Sequence, residues 1–455
     1  MLDVKHKKLF GTDGVRGCAN LPPIEIETAL LLGRALGLML SQKGGKHRVV
    51  IGKDTRLSCY MYENALVAGL CSMGVDTLMV GPLPTPGVAF ITKAYRADAG
   101  IVISASHNPY KDNGIKFFDA EGFKFPRHFE ETLEEFVFEN AFQKFLPKDD
   151  AIGRNTRIHD ADGRYIEFVK ATFPKALSLK GVSIVLDSAN GAGYRVAPQI
   201  FWELEAQVVS VGNKPNGLNI NENCGALHLD LIKSQVLEQK ADIGIALDGD
   251  ADRVILIDET GDVVDGDQIL AICALDLKSK GLLKNNLVVG TVMTNYGVIQ
   301  TLKEANIDVS LSQVGDRYVI QKMIESGACL GGEQSGHLIF LDHITTGDGL
   351  VSALQILRIM KEKNLPLSTL KKQIKQFPQL LLNVPVLSKP PLENLDRLQK
   401  ELHLCQKELA SSGRILVRYS GTEAVCRVMC EGVDPSLNSR LAKRLAKVIE
   451  EELGS

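Results

Sequence analysis

Hydrophobic and polar positions change period repeatedly along the first two-thirds of the chain. After Pro22-Pro23, apolar and small residues recur at helical spacing through Leu30, Gly33, Leu36, Gly37 and Leu40. A short apolar run at Val49-Val50-Ile51 predicts a buried strand. Met61–Met73 returns to helical spacing, and Thr77–Val80 and Ile101–Ile103 predict two further strands. Strand, helix, strand in this order builds a parallel sheet by right-handed crossovers. The rhythm recurs at Val182–Leu186, which leads into Asn190-Gly191-Ala192-Gly193, then at Ile243–Leu247 and at Leu287–Val289. The pattern predicts an α/β protein with three similar αβ units of about 100 residues each.

Two breaks divide the chain. Lys144 to Gly163 is polar and reads as a linker, and Pro378, Pro385, Pro390 and Pro391 crowd a second boundary. Beyond it, Arg414–Tyr419 and Val425–Cys430 are strand-like runs around a Ser-Gly-Thr loop. Leu437, Leu441, Leu445 and Val448 then mark a closing helix. The expected organisation is αβ domains at 1–150, 156–256 and 257–370, with mixed or parallel sheets, and a smaller C-terminal α+β domain at 378–455. Similarity between the αβ units is too weak to count as a sequence repeat.

Composition narrows the function. The 455 residues are 45% apolar and 24% charged, ordinary for a globular chain. Fifty-two basic against 55 acidic side chains leave a net charge of −3, which gives no footprint for a nucleic-acid or polybasic membrane partner. The nine cysteines are an odd number, and Cys426 and Cys430 lack a second pair at zinc-ligand spacing. They read as reduced core residues of a cytoplasmic protein. No apolar stretch follows the basic N-terminus, and Ala29–Leu40 is interrupted by Arg34 and too short to span a bilayer.

The sharpest chemical segment is Asp248-Gly249-Asp250-Ala251-Asp252-Arg253. Three carboxylates at alternate positions can converge on one hard cation. An EF-hand requires glycine where Arg253 stands and helices where the flanks predict strands, so it is excluded. A solvated acidic hairpin tip remains an alternative. Three carboxylates supply a charge of about −3, and Mg²⁺ would leave about −1 for Arg253 to offset.

Ser104-Ala105-Ser106-His107-Asn108-Pro109 follows an apolar strand, where open α/β sheets place their ligands. His107 and Lys116 add positive or proton-transferring groups nearby, although a turn cap would also explain the serines. Arg418-Tyr419-Ser420-Gly421-Thr422-Glu423, with Arg427, fits a phosphate cradle or a plain hairpin turn. Gly331-Gly332-Glu333-Gln334-Ser335-Gly336-His337 would place Glu333, Ser335 and His337 on one face, able to read sugar hydroxyls or an amine. Gly11-Thr12-Asp13-Gly14-Val15-Arg16-Gly17 sets Arg16 in a glycine-rich loop. Gly191-Ala192-Gly193 is a decoy, since Val196 replaces the third glycine of a dinucleotide fingerprint.

Together these motifs resemble the α-D-phosphohexomutases, from Phe10-Gly11-Thr12-Asp13-Gly14 to the Ser-Gly-Thr loop, essentially the whole chain. The resemblance implies four domains around a central cleft, with Ser106 as phosphoserine. It implies one Mg²⁺ per chain, held by Asp248, Asp250 and Asp252 beside the Ser106 phosphate. Gly331–His337 matches the family's sugar-specificity loop, and its Gln334 resembles the glucosamine branch. Arg418, Ser420, Gly421 and Thr422 match the loop that grips the phosphate not being transferred. Lys116 and Arg16 match positions credited with proton transfer and charge stabilisation. Where the family commonly reads Ser-Gly-Thr-Glu-Pro, this chain has Ala424.

The implied activity is exchange of phosphate between the two ends of a hexosamine monophosphate through glucosamine 1,6-bisphosphate, feeding UDP-N-acetylglucosamine synthesis. Phosphoserine carries about −1.5 to −2 charge, and Arg16, Lys116, Arg253 and Arg418 would offset its repulsion from the incoming phosphate. The same chemistry on glucose or mannose phosphates is the nearest alternative, and a Mg²⁺-dependent sugar-phosphate phosphatase a more distant one. A homodimer is suggested by the resemblance alone. Loading of Ser106 by a kinase or by autophosphorylation stays open.

Overall fold

The computed structural model describes residues 8–11, 13–140, 142–420 and 424–454. They fall into two compact units, Met1–Val292 with Asp308–Lys371, and Met293–Ile307 with Lys372–Ser455.

The first unit contains three sheets of related topology. In the first, the strands lie in the order Val15–Cys18, Asp112–Asp119, Ala99–Ile103, Arg48–Lys53, Asp76–Pro82 and Asn155–Arg157. Arg48–Lys53 pairs in parallel with both neighbours, whereas Asp112–Asp119 folds back antiparallel on Ala99–Ile103. The second sheet runs Val263–Val264, Val254–Asp258, Ile243–Leu247, Ser183–Asp187 and Gln207–Val211. The third runs Asp308–Ser312, Leu287–Thr291, Leu330–Gly332 and Leu338–Phe340. Central strands such as Ala99–Ile103 and Ile243–Leu247 are buried at every position. Helices cover both faces of such strands, which is why they read as unbroken apolar runs rather than alternating ones.

Helix Ile26–Ser41 packs on helix Cys59–Cys71 at unusually close range. A Cβ on Gly33 would stand 2.8 Å from the Leu66 carbonyl oxygen, and one on Gly69 2.4 Å from that of Leu30. These two glycines therefore belong to the helix contact rather than to a turn.

The polar segment expected as a linker is partly structured. Asn155–Arg157 adds an edge strand to the first sheet, parallel to Asp76–Pro82. All three of its residues are exposed, and it is held by backbone pairing and by Asn155, whose side-chain oxygen accepts the Thr77 hydroxyl at 2.9 Å, so no hydrophobic signal marks it. Helix Ala161–Ala171 follows at once and stacks Phe168 on Phe90 of helix Thr85–Ala94, with ring centres 4.3 Å apart.

The second unit is built on a three-stranded antiparallel sheet in the order Gln379–Pro385, Val425–Gly432, Gly413–Tyr419. Helices Asp396–Leu409 and Pro435–Leu453 close its core around Leu398, Cys405, Val428, Leu441 and Leu445. The last helix starts where Asp434 accepts the Ser436 N–H at 2.9 Å, with Pro435 at its first position. Helix Tyr296–Glu304 also belongs to this unit, its Tyr296 N–H donating to Glu431 at 3.1 Å. Among the described residues no helix is long and apolar enough to cross a membrane.

Candidate active site

Three motifs singled out in the sequence occupy one topological position. In each sheet of the first unit, a parallel strand is followed by a loop and then by the antiparallel strand paired to it. That loop carries Ser106 in the first sheet, Asp248–Asp252 in the second and Glu333–His337 in the third. A parallel strand ends with its last carbonyls at the sheet edge, so the reversal after it must expose backbone and polar side chains there.

The first two loops meet. Ser106 Oγ donates to Asp248 Oδ2 at 2.5 Å, and His107 Nδ1 lies 3.3 Å from the same Oγ. Lys116, on the neighbouring strand, donates to Asp250 Oδ2 at 2.8 Å and stands 3.7 Å from Asp252 and 3.4 Å from Asp13. Thr85 donates its hydroxyl to Asp250 Oδ2 at 2.6 Å. Arg16 pairs with Asp13, which Lys124 also contacts at 2.5 Å. Ser106 and Ala251 both hold positive φ, +51° and +56°, which side-chain-bearing residues adopt only when their surroundings impose it. The glycine-rich decoy has a packing role here. Ala192 N–H donates to the Gly249 carbonyl at 2.8 Å, and a Cβ on Gly191 would lie 2.2 Å from that oxygen.

Ligand atoms of Asp248, Asp250 and Asp252 all lie within 4.8 Å of one another, and all three side chains are buried. Burial, then the charges of Asp252 and Asp250, push the Asp248 carboxyl well above the usual range. Burial also opposes ionisation of Asp252, but Lys116, His337 and Arg253 outweigh it and hold that carboxyl well below. Asp250 Oδ1 and Asp252 Oδ1 are buried without a hydrogen-bond partner. Orphaned anionic oxygens beside a carboxyl driven toward protonation fit a site completed by a cation.

The surrounding cations are fixed in their charge states. Lys116 is buried, which would favour the free amine, yet Asp13, Asp250 and Asp252 keep it protonated. His107 moves the other way, to about 4, through burial and then the charges of Arg253 and Arg16. Its ring is neutral at pH 7.

The third loop supports this cluster from one side. His337 pairs with Arg253 in an isolated bridge, and its Nδ1 lies 3.7 Å from Asp252. Its Nε2 accepts the Gly347 N–H at 3.2 Å, so the ring proton faces Asp252. Glu333 is buried and accepts the Gly315 N–H at 2.9 Å, whereas Ser335 is exposed. Gln334 turns to Asp265, 3.3 Å away, at the start of helix Gly266–Ser279.

In the second unit, Arg418 and Arg427 stand directly opposite each other on paired strands. Like charges in that position repel, and burial followed by Arg427 lowers the Arg418 value. Lys389 donates to the Ser420 carbonyl at 2.6 Å, and Val386 N–H to that of Ala424 at 2.9 Å. Three cations around one loop favour an anion. Gly421 and Thr422 lie outside the described residues.

Four family models match the chain in order. They are the phosphoglucomutase/phosphomannomutase alpha/beta/alpha domains I, II and III at residues 7–144, 163–261 and 265–377, and the C-terminal domain at 381–448. The chain belongs to the phosphoglucomutase/phosphomannomutase family. Relatives named phosphoglucosamine mutase include one from Protochlamydia amoebophila, 61% identical over 98% of both chains. Another, from Chlamydia trachomatis serovar D, is 59% identical over 99% of this chain and 98% of the relative. Among solved structures, a phosphoglucomutase/phosphomannomutase family protein from Burkholderia thailandensis matches with TM-score 0.82 at 23% identity, covering 97% of each chain. The N-acetylphosphoglucosamine mutase of Aspergillus fumigatus matches with TM-score 0.68 at 17% identity, covering 98% of this chain and 96% of that one. At such identities the structures speak for the fold.

Several contributors to this site escaped the sequence reading. Thr85 reaches Asp250 from a helix start with no distinguishing motif, and Lys124 reaches Asp13 across 111 positions. Asp13 sat within the glycine-rich N-terminal motif, and its acidic side chain beside Arg16 was an available signal.

Proposed function

We propose that this chain is a phosphoglucosamine mutase, interconverting glucosamine 6-phosphate and glucosamine 1-phosphate through a phosphoserine at Ser106 and a glucosamine 1,6-bisphosphate. The observation that carries the chemistry is the 2.5 Å contact between Ser106 Oγ and an aspartate trio suited to a cation. The amino-sugar preference is taken from relatives 58–61% identical that bear the phosphoglucosamine mutase name.

Asp248, Asp250 and Asp252, with a phosphate on Ser106, would hold Mg²⁺. When bound, it supplies positive charge to the phosphoryl oxygens. Phosphoryl transfer is catalysed chiefly by positioning and charge stabilisation. Lys116, kept protonated by three carboxylates, and Arg16 beside it supply fixed charge. Arg253 adds to it from the end of the metal loop. Neutral His107, 3.3 Å from Ser106 Oγ, exchanges the proton of that hydroxyl as phosphate leaves or returns. Glu333, Ser335 and His337 are assigned to the sugar loop. Arg418, Ser420, Gly421, Thr422 and Arg427 are assigned to the phosphate that is not being transferred.

The bisphosphate must present each end to Ser106 in turn, so the second phosphate site has to accept either end. We assign the protein to the cytoplasm, in keeping with nine free thiols. A homodimer and the domain limits 1–150, 156–256, 257–370 and 378–455 complete the proposal, with the edge strand Asn155–Arg157 returned to the first domain, whose sheet it joins.

The test is kcat/KM for glucosamine phosphate against glucose and mannose phosphates, with Mg²⁺ and the matching bisphosphate present. A preference of about tenfold, equivalent to about 1.4 kcal/mol, supports the amino-sugar assignment. Equal or reversed values overturn it, and phosphate release without any bisphosphate requirement would mark a phosphatase instead. Ser106→Ala should abolish both phosphoenzyme and turnover. A variant that keeps its activity removes Ser106 as the nucleophile.

A further inference from the structure

Ser106 holds a left-handed backbone, φ +51°, and something must impose it. Two side chains remote in sequence converge on the same pair of carbonyl oxygens. Arg56 Nη2 donates to Ser106 O at 3.1 Å and to Asn108 O at 2.5 Å. Asn221 Nδ2 donates to the same two oxygens at 2.9 and 3.0 Å.

Both donors are buried and braced. Arg56 is 0% exposed, pairs with Asp54 through Nη1, and donates its own N–H to Asp54 at 2.9 Å. Asn221 is 8% exposed and itself left-handed, φ +59°, a region that asparagine tolerates better than most residues. Its N–H donates to the Ala189 carbonyl at 2.9 Å. Arg56 follows strand Arg48–Lys53 of the first sheet, whereas Asn221 follows strand Gln207–Val211 of the second. The serine loop is therefore gripped from its own sheet and from the sheet that carries the aspartates.

The grip bears on the chemistry through peptide geometry. With the Ser106 carbonyl turned to these donors, the His107 N–H lies on the opposite edge of the same planar peptide. Among the described residues that N–H meets no acceptor, so it is available to an oxygen of the transferring group. The metal loop presses on the clamped oxygen too, since a Cβ on Gly249 would lie 2.5 Å from it.

We propose that Arg56 and Asn221 are positioning residues for phosphoryl transfer, clamping the carbonyls of Ser106 and Asn108 so that Ser106 Oγ stays against Asp248. This rests on the mutase reading given above. Neither residue touches the reacting atoms. Each acts through the backbone of the nucleophile loop, so its loss should slow the chemical step while leaving substrate affinity nearly intact.

The experiment uses full-length protein phosphorylated on Ser106 by hexose 1,6-bisphosphate. Phosphoryl transfer to glucosamine 6-phosphate is followed in a single turnover by rapid quench, alongside steady-state kcat, KM and phosphate release. Asn221→Ala should transfer about 10- to 100-fold more slowly with KM little changed, and lose a larger share of phosphate to water. Asn221→Asp keeps the volume and the tolerance for positive φ, but turns an acceptor toward two carbonyl oxygens. It should be at least as slow, a result that simple space-filling would not give. If Asn221→Ala fails to fold, Asn221→Asp and Arg56→Lys decide the matter.

Parent-like transfer in the folded variants overturns the clamp. If the parent ignores glucosamine phosphate, the assigned substrate falls. The ratio of variant to parent, measured with whichever hexose phosphate is accepted, still judges the clamp.

Discussion

Replacing Lys116 by methionine separates the electrostatic work of this residue from its packing. The side chain is 1% exposed, and methionine preserves most of its apolar stem. Its ammonium stands 2.8 Å from Asp250, 3.4 Å from Asp13 and 3.7 Å from Asp252. Removing one partner of a buried ion pair costs about 3–5 kcal/mol, because the partner charge stays buried without compensation. Here three carboxylates lose the same cation, while Arg16, Lys124 and Arg253 continue to offset part of their charge. Without divalent cation, Lys116→Met should therefore unfold about 3–5 kcal/mol more easily in urea. The sign reverses for metal binding. A positive charge beside the aspartate trio repels a cation, so the variant should bind Mg²⁺ more tightly, and saturating Mg²⁺ should narrow the gap in stability. Turnover should fall about 10²- to 10³-fold, since a fixed charge facing the phosphoryl group is gone. Parent-like unfolding in chelator together with unchanged Mg²⁺ affinity would refute the reasoning.

Other expectations follow from the same physics. Arg418→Gln removes one of two cations that face each other across paired strands. It should raise KM for sugar phosphates by about 10-fold or more, with stability unchanged or raised by about 0.2–1 kcal/mol. Asp348 is buried, and that burial raises its carboxyl to about 6 from an ordinary 3.8. A carboxyl raised on folding adds stability that is complete below pH 3.8 and disappears as the pH climbs through about 6, on the order of 3 kcal/mol in all. Asp348→Asn keeps one oxygen for the Leu350 and Val351 N–H groups at the start of helix Gly349–Lys363 and turns its amide NH2 to the Tyr165 hydroxyl, which can accept, so it should flatten urea stability between pH 4 and pH 6. An unaltered pH slope would show that Asp348 is already ionised there. Gly69→Ala should destabilise the packing of helix Cys59–Cys71 by about 1–3 kcal/mol, read from its melting temperature, because the new methyl would meet the Leu30 carbonyl.

Much of the architecture was legible along the chain because parallel strands covered on both faces leave continuous apolar runs. Ile243–Leu247 is such a run, and its strand limits are those of the structure. The edge strand Asn155–Arg157 was not legible, since its residues are exposed and it is held by backbone pairing and a polar contact of Asn155 with Thr77 rather than by apolar burial. Helix Tyr296–Glu304 lies in sequence between two strands of the third sheet, yet groups with the C-terminal unit. Hydrophobic periodicity announces a helix but not the neighbour it packs against.

The sequence by itself determined the chemical inventory. Alternating aspartates after an apolar strand, a serine at another strand end, and arginines on strands around a Ser-Gly-Thr loop are local patterns, and local spacing suffices to read them. The tertiary structure decided which groups meet and in what charge state. Ser106 and Asp248 are 142 positions apart, Lys116 and Asp250 134, and Asn221 reaches the Ser106 carbonyl across 115. The neutral His107 and the protonated Lys116 depend on burial and on neighbours brought in from other sheets. Desolvation and Coulomb interaction act through space. No spacing along the chain encodes them until the sheets have closed around the site.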